Sequence, residues 1–259
     1  MKKTLAFAGA GNMASAIILG ASEYNIRIFD RDKSKYEKFS GDIFCAGSLS
    51  ELIEGADYLF LCVKPQNVPQ LLPELAKENL ENITVISIMA GVTIEKISSY
   101  IGELPIVRTM PNTPLMIGHG VTALSRNDKV TDKSFSDICR LFSGMGKVTI
   151  VKEEQINAIT STTSSSPAYV YLFIQSIIDE AEREGLDQKN LCELVCETLI
   201  GSANMVLRSG KTPGELIEMV KSPGGTTAKA LEVFENEGFS DIISKAMQAC
   251  TKRAQELAK

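Results

Sequence analysis

The chain has one histidine, His119, among its 259 residues. Histidine is the usual side chain for moving protons near neutral pH, so acid–base chemistry of that kind would have to rest on this residue alone. His119 sits between Gly118 and Gly120 with no acidic partner nearby in sequence, and it reads as a solvated loop residue ahead of a general base. The cysteines, at 45, 62, 139, 192, 196 and 250, never form a Cys-x-x-Cys pair. With no Cys-x-x-Cys pair and a single histidine, no metal is expected. Cys192 and Cys196 share a helix face, which leaves a metal or redox role open; buried, reduced thiols in a cytosolic protein are the expectation. No stretch reaches the ~18 uninterrupted apolar residues of a membrane span. The opening Met1-Lys-Lys-Thr-Leu-Ala-Phe-Ala is broken by Gly9 and Gly11, which suits a buried strand and turn better than a leader, and a cytoplasmic location is expected. A long basic run is also missing, and the net charge of −5 gives no support for a nucleic-acid partner. Neither an internal repeat nor a Pro/Gly/Ser-rich linker appears. What remains is an ordinary globular composition, 44% hydrophobic and 23% charged, long enough for one large or two modest domains.

Residues 1–152 alternate short apolar runs with helical patterns. Strands are expected at 4–8, 26–30, 43–46, 58–63, 84–88, 105–110, 121–125 and 147–151. Helices are expected at 12–22, 33–40, 50–54, 66–79, 93–101 and 131–143. The early apolar runs are continuous, as in strands covered on both faces. Strand–helix–strand succession predicts parallel crossovers and a doubly wound, dinucleotide-binding (Rossmann) sheet, an α/β fold. From residue 153 to 259 strand signals vanish. Helical patterns occupy 167–184, 188–209, 213–220, 226–237 and 240–257, an all-α second domain. Asp187 and Thr212 fit N-cap positions, and Pro213 fits the first helical residue. The serine-rich run 161–166 reads as a turn leading into the helix at Pro167. The helical half is apolar enough to need a partner surface, either a second copy of the chain or the first domain.

Four motifs carry chemistry. Gly9-Ala-Gly11-Asn12-Met13-Ala14 follows the first strand and opens the first helix. Gly9 permits a tight turn, Gly11 lets a pyrophosphate approach the backbone, and Ala14 allows close helix packing. Asp30 lies at the end of the second strand, about 20 residues on, where an acid can accept from a ribose 2′-OH. Arg31, Lys33 and Lys35 crowd the same turn and could hold a 2′-phosphate, so NADH and NADPH both remain open. In the middle of the chain, Val63-Lys64-Pro65-Gln66 and Arg108-Thr-Met-Pro111-Asn112-Thr113-Pro114 each end a strand, on the side where this architecture receives ligands. Lys64 reads as a cofactor contact or a solvated charge. Asn112, held between two prolines, reads as a nicotinamide contact or part of a structural turn. Last, Ser222-Pro-Gly-Gly-Thr-Thr227 runs into a helix. Glycines allow close backbone approach, and free N–H groups at a helix start favour an anion, so this is a candidate carboxylate site flanked by two hydroxyls. Taken without further context, Thr227 could equally be a plain helix cap.

With these motifs in place, and with Pro167-Ala-Tyr169, the chain resembles the pyrroline-5-carboxylate reductases from end to end. The resemblance implies reduction of 1-pyrroline-5-carboxylate to L-proline by NADPH or NADH, the last step of proline synthesis. It also implies a helical domain that interlocks two subunits, with further assembly of dimers in some members. Position by position, Gly225 and Thr226 resemble the backbone donors to the substrate carboxylate, with Ser222 opening that loop. Thr227 resembles the hydroxyl that hydrogen-bonds the ring nitrogen. Gly9, Gly11, Asn12, Met13, Asp30, Arg31, Val63, Lys64, Pro65 and Asn112 are expected at the cofactor. The family usually carries glycines where Ser164 and Ser166 stand here. A related cyclic imine as substrate is one alternative; related hydroxyacid dehydrogenases are another, but they resemble this chain in the first half only. They use a lysine on the long interdomain helix, and residues 153–184 contain none. A non-catalytic dinucleotide sensor is the third alternative.

Overall fold

The structure, a computed structural model, describes residues 2–186 and 188–258. Eight strands form one sheet: β1 Thr4–Ala8, β2 Asn25–Phe29, β3 Ile43–Cys45, β4 Tyr58–Leu61, β5 Thr84–Ser87, β6 Ile106–Met110, β7 Gly120–Arg126 and β8 Gly146–Ile150. Their order is β3-β2-β1-β4-β5-β6-β7-β8. Helices α1 Asn12–Leu19, α2 Leu49–Ile53, α3 Val68–Leu75, α4 Ile94–Ile101 and α5 Asp132–Ser143 lie between strands. Side chains alternate along each strand, so β4 sends Tyr58 and Phe60 to one core layer and Leu59 and Leu61 to the other. In the first layer the rings of Phe7 and Phe60 stack at 4.6 Å. In the second, Leu72 and Leu75 of α3 are fully buried.

The doubly wound sheet is as expected, with one difference. β6 and β7 are antiparallel, while every other neighbouring pair is parallel. Residues 111–119 between them hold only a 3-10 turn, Thr113–Ile117. A parallel return needs a crossover of a dozen or more residues, so the chain has to double back. A second difference is at residues 33–40. A 3-10 run, Lys33–Lys38, replaces the expected helix. None of its residues is buried, so no apolar stripe supports an α-helix there. The long helix expected over 66–79 is shorter, a 3-10 turn Pro65–Asn67 followed by α3.

Beyond β8 the chain is helical: α6 Ile156–Ile159, α7 Ser166–Arg183, α8 Gln188–Arg208, α9 Pro213–Val220, α10 Thr226–Asn236 and α11 Phe239–Ala258. Thr212 caps α9 through a capping box with Glu215, and Pro213 takes the first helical position, as expected. Asp187, the other expected cap, lies outside the described residues. Two compact units result. One runs up to Pro167 and is rejoined by the chain from Ala249 onward; the other is Ala168–Gln248. Among the described residues of the second unit only Leu191 and Val195 are buried, whereas Leu172, Leu207 and Val220 are 69%, 81% and 68% exposed.

The serine-rich run is not an open turn. Thr160–Ser164 forms a π-helical turn joining α6 to α7. It is tied into the first unit at three points. Asn112 Nδ2 donates to the Thr163 carbonyl at 2.9 Å. Thr251 Oγ1 donates to Ser161 Oγ at 3.0 Å, and Ser165 Oγ lies 3.2 Å from Cys250 Sγ. Below it, Ile156 is fully buried against Met110 and Ala123. The guanidinium of Arg108, only 1% exposed, reaches Glu153 at 3.3 Å and Asn157 at 3.0 Å. Burial lowers the Arg108 pKa, and Glu153 opposes that shift. The same Glu153 oxygen accepts the Ile94 N–H at 2.7 Å, so it also serves the N-terminus of α4.

Candidate active site

The chain winds outward in both directions from β1, with β2 on one side and β4 on the other. Open α/β sheets bind ligands at such a reversal, beyond the carboxyl ends of the strands. A cavity of ≈ 490 Å³ lies there, walled by the ends of β1, β2 and β4 and by α3. Gly9 makes the turn after β1 at φ +106°, and a Cβ added to it would stand 2.7 Å from the Cys62 carbonyl oxygen. The two strand ends close together only because residue 9 has no side chain. Gly11 caps α1 without a side-chain hydrogen bond, and a Cβ there would meet nothing within 4 Å. By contrast Ser48, Thr93 and Thr131 cap α2, α4 and α5 with their own hydroxyls. The start of α1 is therefore left with bare N–H groups facing open space, which suits a pyrophosphate.

Asp30 forms the far wall. Its carboxylate accepts the N–H groups of Ala10 and Asp32, both at 2.9 Å, and pairs with Lys35 at 2.9 Å. Burial opposes ionisation, but the Ala10 amide, Lys35 and the Asp32 amide together hold the carboxyl below its ordinary value. Tyr36 braces the same turn by accepting the Asp30 N–H at 2.9 Å. Arg31 reaches across to α3, donating to Gln70 at 2.7 Å and pairing with Glu74 at 3.0 Å. Of the expected cofactor residues, Gly9, Gly11, Asn12, Asp30, Arg31, Val63 and Lys64 line this cavity. Three do not. Met13 packs against the hydrophobic core. Pro65 opens the 3-10 turn before α3. Asn112 is 6% exposed and spends its amide inside the protein, accepting the Val121 N–H at 2.8 Å and donating to Thr163. Its observed part is to hold the β6–β7 loop against the π-helical turn.

The second expected site is the start of α10. Gly224 turns the chain at φ +67°, and Gly225 caps the helix without a side-chain hydrogen bond. A Cβ at Gly225 would overlap Ser222 Oγ. Gly225 N–H donates back to the Ser222 carbonyl at 3.0 Å. That amide, expected to hold a carboxylate, is committed within the turn, and the unclaimed helix donors begin at Thr226. Thr227 is half-buried and second in the helix, so it is not the cap.

Both glycine-capped helix starts fall in segments with known relatives. Residues 153–257 match the family described as pyrroline-5-carboxylate reductase dimerisation, and residues 4–91 match NADP oxidoreductase coenzyme F420-dependent. The pyrroline-5-carboxylate reductase of Escherichia coli K12 is 33% identical, with 100% of both chains covered. That of Pseudomonas aeruginosa is 34% identical over 98% of this chain and 96% of its own. Among solved structures, the pyrroline carboxylate reductase of Plasmodium falciparum with NADP bound has a TM-score of 0.92 at 29% identity, covering 100% of this chain and 98% of its own. This chain belongs to the pyrroline-5-carboxylate reductase family.

Within that family's architecture, the motifs missed α3 and the turn before it. Asn67 of the turn and Gln70, Leu71 and Glu74 of α3 line the cavity, yet no glycine or strand end marks them. The only sequence signal was one polar face on an otherwise apolar helix. His119 is exposed in its loop, and no acid partners it among the described residues. The expectation of buried thiols needs correction. All six cysteines are free, but Cys45 and Cys192 are exposed and the others are half-buried. Burial pushes the Cys62 thiol, in the cavity wall, well up from its ordinary value. Among the described residues no cluster of three metal-ligating side chains exists, and no helix is long and apolar enough to cross a membrane.

Proposed function

We infer that this chain reduces 1-pyrroline-5-carboxylate to L-proline with NAD(P)H. The observation that carries the reading is the glycine-capped start of α10 in a chain matched over its whole length by pyrroline-5-carboxylate reductases. Bound NAD(P)H supplies a hydride. On the imine protonated at nitrogen by water, that hydride would join carbon as the C=N π electrons return to nitrogen, leaving a neutral ring N–H. The imine carbon is reactive already, so positioning does much of the work, in keeping with a chain that has one histidine.

The residues divide the tasks. Gly9 and Gly11 let a pyrophosphate approach α1, whose dipole favours it. Asp30 serves the ribose, with Arg31, Val63 and Lys64 on the same walls. Thr226 N–H and the start of α10 hold the substrate carboxylate. Thr227 Oγ1 hydrogen-bonds the ring nitrogen, and a bond that strengthens as charge shifts there favours the transition state. Gly225 and Ser222 shape the loop. The family match beginning at residue 153 supports dividing these tasks between 1–152 and 153–259.

The apolar surface of the helical half is that of a homo-oligomer, and we take the unit to be a dimer able to assemble further. Six free thiols agree with a reducing cytoplasm. The test is direct: purified protein is mixed with NADPH or NADH and pyrroline-5-carboxylate, and proline formation is followed. Coenzyme that binds but is not oxidised by this imine would overturn the reading.

A further inference from the structure

Resting on the coenzyme reading above, we propose that the rim beyond β2 selects NADH over NADPH, and that Glu74 of α3 is a determinant of that choice. The cavity wall there carries two cations, Arg31 and Lys35, the side chains that would suit a 2′-phosphate. Neither is unclaimed. Lys35 spans both oxygens of Asp30 at 3.0 and 2.9 Å. Arg31 is bound by Glu74 at 3.0 Å and by Gln70 at 2.7 Å. The two acids cancel the two bases, so the rim offers a phosphate no net attraction. Lys64, on the opposite flank at the end of β4, is the remaining lysine of the wall.

The two acids differ in how freely they can yield. Asp30 is held by backbone donors on both oxygens and its side chain is 12% exposed, so it cannot swing away. A ribose hydroxyl can take the place of one Lys35 hydrogen bond on that carboxylate. A phosphate meets it as a like charge. Glu74 is 47% exposed and its partner Arg31 57%, a pair that competes with a ligand yet breaks readily. Glu74 thus tunes a preference that Asp30 sets.

Coenzyme binding to the full chain, followed by fluorescence titration without substrate, separates this proposal from the activity. NADH should bind about tenfold more tightly than NADPH, the scale of one like-charge contact at a partly solvated rim. Glu74→Gln and Glu74→Ala, which release Arg31, should each tighten NADPH several-fold and narrow the ratio. Arg31→Ala should widen it. Wild-type protein that binds NADPH as tightly as NADH, or a ratio unmoved by both Glu74 variants, would overturn the proposal and leave the reductase reading standing. Failure to bind either coenzyme would overturn both.

Discussion

The contribution of Asp30 to the fold can be measured apart from coenzyme binding. Its folded pKa is depressed by the Ala10 and Asp32 amides and by Lys35. An acid of this kind stabilises the fold fully above its unfolded value, about 4. The contribution is lost as pH falls through the lower folded value. Asp30→Asn should therefore flatten the acid limb of a plot of Tm against pH below about pH 4, with coenzyme absent. Ser164 presents the opposite case. Its Oγ is enclosed and has no hydrogen-bond partner. An enclosed hydroxyl left unpaired is a cost, so Ser164→Ala should raise stability by about 1 kcal/mol in urea unfolding. At Thr227 the expected effect is on turnover. Thr227→Ala should lower kcat by about 10² while circular dichroism and Tm stay put, as for loss of one transition-state donor. Unchanged kcat would remove the hydroxyl from the chemistry. The residues legible in sequence were those whose backbone had to be special, Gly9, Gly11 and Gly225. Met13, Pro65 and Asn112, also expected at the cofactor, do not line the cavity, and a linear motif does not say which of its residues faces it.

Among the elements, the early strands were legible because continuous apolar runs identify strands covered on both faces, and all eight expected strands appear with ends shifted by at most two residues. The reversal at β7 was not. It follows from the length of the connection before it, which periodicity does not register. Nor was the π-helical turn at Thr160–Ser164, where the hydroxyls of residues 160 to 163 hydrogen-bond back to their own helix, as Thr160 Oγ1 does to the Ile156 carbonyl at 2.9 Å, and that of Ser164 does not. Asn112 joins these two unforeseen elements. Asn112→Ala would strand the Val121 N–H and the Thr163 carbonyl, and should cost about 2 kcal/mol in chemical denaturation. Asn112→Asp should restore the Val121 bond and not the other, giving an intermediate loss. Equal losses for the two variants would mean that the Thr163 bond carries the joint.

At the level of the whole molecule, the helical half exposes an apolar surface too broad for a lone chain. Sedimentation should show an oligomer at micromolar concentration. Leu207→Glu, placed where the chain is 81% exposed, should weaken the assembly and reduce activity with it. A fully active monomer would show that each pocket is complete within one chain. The two-domain plan was readable because strand signals stop where helical ones take over. Where the compact units part was not readable, since both boundaries fall inside helices and no linker marks them.

The anchoring of α6 bears on how such proteins can be cut and recombined. A fragment ending at residue 152 would keep Arg108 but lose Glu153 and Asn157, stranding a positive charge in the interior. It would also uncover Met110 and Ala123 by removing Ile156. A nucleotide-binding half meant to live alone, or to be fused to a foreign helical module, has to carry the chain on to Pro167 and be given a substitute for the tail that returns at Thr251. A cut between residues 152 and 153 thus destabilises the first half for reasons unconnected with the active site.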